Sequence, residues 1–252
     1  LKYLILSDIH SNLEALRAVL AHCARKRRNA VLFLGDAVGY GAAPNQALER
    51  LRSLGSRIIG VRGNHDRVVL RPEQGAVFFN THAQQAARWS AGVLTLANRR
   101  FLEALPPGPR LVGEGIAICH GSPNDEDEYI FSEAEARAAF DAINANVIFF
   151  GHSHVACMFE FGRNGGQESL VGVLLRGSRV VIDLDPSRRY FINPGSVGQP
   201  RDRDPRASYA MYDSELRRFT LFRVPYDVSA ARRRIVAAGL PVILGDRLVQ
   251  GS

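Results

Sequence analysis

The chain has 252 residues, 46% of them hydrophobic, with 32 Lys and Arg against 25 Asp and Glu for a net charge of +7. That length and apolar content suit one α/β domain over residues 1–252. No apolar run reaches the ~18 residues of a membrane helix, so a helix-spanning membrane protein is excluded. The basic excess suits an anionic partner. It is spread in short arginine runs such as Arg99-Arg100 and Arg232-Arg233-Arg234, the pattern of solvated faces rather than of one nucleic-acid groove.

Leu4-Ile5-Leu6 reads as a strand buried on both faces. Residues 12–28 carry Leu13, Leu16, Val19 and Leu20 at helical spacing. Residues 31–34 and 58–61 are further strands, with a helix over 44–54 between them and Pro44 in its first turn. This βαβαβ rhythm favours a parallel sheet with helices on both faces. Residues 73–105 read as helical, ended by Pro106-Pro107-Gly108-Pro109. Strands return at 116–119 and 147–150 around a helix over 132–145, where Ser132 and Glu135 form a capping box. After Cys157 come closely spaced strands at 180–183, 190–192, 208–212 and 219–224, which suggest antiparallel hairpins, and a helix over 228–238. The whole reads as an α/β fold, a two-sheet mixed β-sandwich flanked by helices.

No signal peptide is visible at the first residues, and Cys23, Cys119 and Cys157 have no zinc or disulfide spacing, so a cytoplasmic protein with buried thiols is expected. The antiparallel strands after residue 157 offer an edge for a homo-oligomer.

The buried strands end in metal-ligand residue types: Asp8-Ile9-His10, Gly35-Asp36, Gly63-Asn64-His65-Asp66, His120-Gly121 and Gly151-His152-Ser153-His154. Singly each is ambiguous, since a Gly-Asp pair is ordinarily a turn and a lone histidine ordinarily structural. Jointly they are not: of seven histidines, all but His22 and His82 lie at such ends. Asp8 and His10 are two apart, so extended backbone points them to the same side. Sites in open α/β sheets form beyond the carboxyl ends of the strands. That gathers Asp8, His10, Asp36, Asn64, His120, His152 and His154 in one crevice. Mixed His, Asp and Asn ligands suit Mn²⁺, Fe²⁺/Fe³⁺ or Zn²⁺ rather than Ca²⁺. Seven ligands exceed one tetrahedral ion and suit a binuclear centre of two divalent metal ions sharing a carboxylate.

These motifs, in this order, resemble those of the calcineurin-like metallophosphoesterase superfamily. Asn193-Pro194-Gly195-Ser196-Val197-Gly198-Gln199-Pro200-Arg201 is similar to a loop of its small bacterial branch, which includes phosphodiesterases and diadenosine tetraphosphate hydrolases. The resemblance implies the α-β-β-α fold of that superfamily and a hydrolase acting on phosphodiester or phosphoanhydride bonds by attack of a metal-bound hydroxide. It implies that Asp8, His10 and His154 hold one metal, that Asn64, His120 and His152 hold the other, and that Asp36 bridges them. His65 would be the general acid, oriented by Asp66. The Arg that follows the bridging Asp in the family's protein phosphatases is absent from Gly35-Asp36-Ala37-Val38-Gly39-Tyr40. A small phosphorylated substrate such as a nucleotide is therefore expected ahead of a phosphoprotein or a nucleic acid, with no membrane partner. A nuclease, a phosphoprotein phosphatase and a non-catalytic scaffold are the alternatives. Tyr40, Arg62 and Arg201 are candidate substrate contacts, each with a structural reading beside it.

Overall fold

The computed structural model describes residues 1–55, 57–75, 79–113 and 115–252. Strands β1 (Lys2–Leu6), β2 (Ala30–Phe33) and β3 (Ile58–Gly60) pair in parallel. β11 (Ala207–Asp213) joins β1 antiparallel, and β12 (Arg218–Val224) and β9 (Arg179–Asp183) extend that sheet to six strands. In the second six-stranded sheet, β5 (Ile116–Ile118), β6 (Val147–Phe149) and β10 (Arg189–Pro194) are parallel. β4 (Arg110–Gly113) lies antiparallel at one edge, and the hairpin of β7 (Ala156–Asn164) and β8 (Gln167–Leu174) at the other.

Period-two alternation along β1 generates the layers. Tyr3 and Ile5 enter the core between the sheets, with Ile118, Phe149 and Ile192. Leu4 and Leu6 face the other way, onto Leu16 and Val19 of α1 (Leu13–Cys23) and Leu48 and Leu51 of α2 (Pro44–Arg52). The outer side of the second sheet packs Ile148 and Phe191 on Ala136, Ala139 and Phe140 of α7 (Glu133–Ala142). The order is thus helix, sheet, sheet, helix. The parallel sheet of β1–β3 has helices on one face and a sheet on the other, not helices on both. A strand buried on both faces has the same apolar run whichever element covers it.

The stretch at 73–105 is not one helix. It contains α4 (Pro72–Gly75), α5 (Thr81–Val93) and α6 (Leu96–Glu103), and residues 76–78 lie outside the described ones. Two caps divide it: Asn80 Oδ1 accepts from Ala83 N–H at 3.1 Å, and Thr95 Oγ1 from Asn98 N–H at 3.4 Å. α1 stops at Cys23, which leaves Arg25 and Arg27 exposed beyond it. α8 (Val228–Ala237) and α9 (Val242–Gln250) pack together on α5. The three cysteines are buried free thiols. Among the described residues no helix is long and apolar enough to cross a membrane.

Candidate metal centre

β1 ends at Leu6, and the residues that follow are not extended. Asp8, His10 and Ser11 have φ of 53, 48 and 54°, and Asp36, His152 and His154 have 58, 65 and 60°. The two-residue spacings of Asp8/His10 and His152/His154 therefore do not act through strand alternation. Left-handed backbone, costing roughly 1–2 kcal/mol per non-glycine residue, turns each side chain into the crevice. Neighbouring loops hold it there. Asp8 N–H donates to Gly35 O and His10 N–H to Asp36 O, each at 3.0 Å. The 193–201 loop clamps both ends of the site. Ser196 Oγ donates to Asp8 O at 2.8 Å, and Asn193 Nδ2 to Gly151 O at 2.7 Å. Gly198 passes so close to Ile9 O that any Cβ would collide with it.

The loops bring together two groups of ligand atoms, each within 4.8 Å: Asp8, His10, Asp36 and His154, and Asp36, His120 and His152. Asp36 belongs to both, and Asn64 Oδ1 adds to the second at 3.3 Å from His120 Nε2. All are buried. The chemistry of the donors fits cations. His10 Nδ1 lies 3.0 Å from Val38 O, His120 Nδ1 2.7 Å from Leu34 O, and His154 Nδ1 2.6 Å from Gln199 O. A carbonyl accepts only, so each Nδ1 carries the proton; His10 and His154 as neutral rings present Nε2 lone pairs, and His120 would do so once a cation replaces its Nε2 proton. Those of His10 and His154 face each other at 3.0 Å, a repulsive pairing that a cation between them relieves. Asp36 Oδ2 has no hydrogen-bond partner, though His120 Nε2 at 3.3 Å and His10 Nε2 at 3.5 Å face it.

Burial holds His10 and His154 well below the usual histidine range. It also lowers His65 to about 4 and His152 to about 3. Burial opposes charge on His120 as well, but Asp36 outweighs it and raises His120 to about 10. For Asp36, burial is overcome by His120 and its fellow histidines, which keep the carboxyl well below its ordinary value.

A buried two-part cluster of this composition can be set beside known proteins. The model of the calcineurin-like phosphoesterase superfamily domain matches residues 1–216. This chain belongs to that superfamily. It is 37% identical to the Methanocaldococcus jannaschii protein MJ0912, over 98% of this chain and 97% of that one. It is 26% identical to the Escherichia coli K12 phosphodiesterase YfcE, over 86% and 89% of the two chains. The crystal structure of a metallophosphoesterase from Sphaerobacter thermophilus superposes with a TM-score of 0.83 at 35% identity, covering 100% of this chain and 99% of that one. The two-sheet fold expected from the phosphoesterase motifs is the fold observed.

Other residues of this phosphoesterase domain sit differently from expectation. Asn64, His65 and Asp66 open a helix, α3 (Asn64–Leu70), rather than ending a strand. Asp66 makes no hydrogen bond to the His65 ring. Its carboxylate accepts from the N–H groups of Asp36 (2.8 Å), Ala37 (2.9 Å) and Gly63 (3.1 Å), so it fixes the turn that carries Asp36, and His65 Nδ1 has no hydrogen-bond partner. Arg62 pairs with Glu126 at 2.9 Å and is not part of the cavity beside the cluster. Tyr40 is mostly buried, its ring 4.7 Å from that of His10 and 4.4 Å from that of His65, and it also lines the cavity beside the cluster. Arg201 donates to the Tyr40 hydroxyl and to Gln199 Oε1, both at 3.1 Å. His22 bonds Tyr209 at 2.8 Å and His82 is exposed, both away from the cluster. The sequence reading missed Tyr129, stacked on His152 with ring centroids 3.9 Å apart. A tyrosine in an acidic loop carries no spacing signal.

Proposed function

We propose that this protein hydrolyses phosphodiester or phosphoanhydride bonds of a small nucleotide, using two divalent cations held by its buried Asp, His and Asn side chains. The observation that carries this reading is Asp36, common to both ligand groups and with Oδ2 turned toward histidine nitrogens. Asp8, His10 and His154 would hold one cation, Asn64, His120 and His152 the other, and Asp36 both. Mn²⁺, iron and Zn²⁺ suit this donor set. Bound there, the cations supply positive charge to the phosphoryl oxygens and acidify a bound water.

The chain's own side chains supply the rest. Asn64 is a neutral ligand and adds no charge that repels the substrate. His65 lines a cavity of about 390 Å³ with Asn64 and His152. Burial keeps the free His65 neutral near pH 7. A phosphoryl anion beside it raises its proton affinity, and it then passes that proton to the leaving oxygen. Asp66 keeps Asp36 in place through the amides of its turn. Arg201 stands behind the cavity wall, a fixed positive charge bonded to the Tyr40 hydroxyl.

The test is turnover of bis-nitrophenyl phosphate before and after chelation. Stripping the metal abolishes hydrolysis and Mn²⁺ restores it; full activity in metal-free protein contradicts the reading.

A further inference from the structure

Three rings form a staircase out of the metal centre. Tyr129 lies 3.9 Å from His152 at 25° between planes, and Phe131 lies 5.4 Å from Tyr129 at 9°. Tyr129 is 42% and Phe131 61% exposed. Tyr129 borders the same cavity as Asn64, His65 and His152.

Packing accounts for the face of Tyr129 laid on His152, and not for the exposure of Phe131. Phe131 precedes Ser132, the N-cap of α7, and an apolar residue there ordinarily folds inward onto the helix's fourth residue. That residue, Ala136, is fully buried in the core behind the second sheet, while Phe131 points to solvent. Between the two rings Ile130 is buried in that same core and anchors the segment. Phe131 N–H and Ser132 N–H both donate to Glu135 Oε2, at 2.6 and 2.8 Å. Two exposed rings are thus held in place beside the reacting centre, and a fixed platform binds with little ordering cost.

We propose that Tyr129 and Phe131 form a stacking platform for the nucleobase of the substrate, which places its phosphate at the cluster. The proposal rests on the phosphoesterase reading and narrows the substrate to base-bearing phosphoesters. Stacking suits any base, since every base has a π-face, so the platform selects for a base without choosing which.

The test compares two esters with one leaving group, thymidine 5′-(p-nitrophenyl phosphate) and methyl p-nitrophenyl phosphate, on Mn²⁺-loaded protein. The readout is the ratio of their kcat/KM values. Tyr129→Ala and Phe131→Ala each lower the preference for the thymidine ester, by roughly 5- to 100-fold for loss of one stacking partner. Tyr129→Phe retains most of it. An unchanged ratio overturns the proposal in either form it can take. Both esters turning over faster makes Tyr129 a cover on the site, and both slowing with loss of bound Mn²⁺ makes it a support for His152. Phe131→Ala, farther from the cluster, keeps the test open should Tyr129→Ala fail to fold. If wild-type protein cleaves neither ester, the phosphoesterase reading has failed. The platform is then judged by binding of thymidine 5′-phosphate to the Mn²⁺-loaded protein, which Phe131→Ala weakens if the platform exists and leaves unaltered if it does not.

Discussion

His65 and the buried histidines around it carry the most exposed claims at the scale of single residues. If His65 protonates the leaving oxygen, His65→Ala keeps its metals and loses turnover by about 10²–10⁴-fold for a poor leaving group such as an alkoxide. The loss shrinks for nitrophenolate, which needs no proton. Equal losses for both leaving groups, or loss of metal, would reject the role. The histidines also set a pH dependence of stability. An unfolded histidine takes up a proton near pH 6.5. Folded His10, His65, His152 and His154 resist it to much lower pH because they are buried. The unfolded state therefore binds more protons below about pH 6.5, and stability falls as pH falls through that value. His120, raised by Asp36, and Asp66, raised to about 7 by burial and by Asp36, work in the opposite sense and offset part of the loss. Metal-free protein should lose roughly 5 °C or more in Tm between pH 7 and pH 5. A Tm that is flat or rises over that interval would show that the histidines are not buried neutral.

At the scale of elements, turns do what strand ends were expected to do. The residue types of the site were legible because Asp, His, Asn and Gly recur after each apolar run. The way they converge was not. Positive φ at Asp8, His10, Asp36, His152 and His154 leaves no periodic trace, and contacts with distant chain hold it in place. The helical start at Asn64 was hidden because its N-cap, Gly63, has no side chain to announce a helix. The division of 73–105 was in principle readable from Asn80 and Thr95, both good caps. The role of Asp66 needed coordinates, since a carboxylate can serve a ring or a turn from the same sequence position. The loop at 193–201 was noticed as a motif, and its work as a clamp appears only in its bonds to Asp8 and Gly151. Gly198→Ala tests that clamp, because the new Cβ meets the Ile9 carbonyl. The expected cost is about 2–4 kcal/mol, seen as a drop of roughly 5–15 °C in Tm with weaker Mn²⁺ binding. Wild-type stability in this variant would mean that the loop is free to move away.

For the whole molecule, the essential act of the fold is to bring sequence-distant loops to one point. Asp8 follows β1, Asp36 follows β2, Asn64 follows β3, His120 follows β5 and His152 follows β6. Parallel pairing within each sheet sets these ends side by side, and face-to-face packing of the sheets brings the two sets together. Fold class was readable from the strand and helix rhythm, and the two-sheet sandwich from the phosphoesterase motifs; only the rhythm's suggestion of helices on both faces of β1–β3 failed, for an apolar run does not name its partner. The reading stands or falls with a binuclear centre that shares Asp36. Its most direct measurement is anomalous scattering at the manganese edge from crystals grown with Mn²⁺. Two peaks are expected, one among Asp8, His10 and His154 and one among Asn64, His120 and His152, with Asp36 touching both. A single peak, or two peaks with Asp36 remote from either, would contradict it.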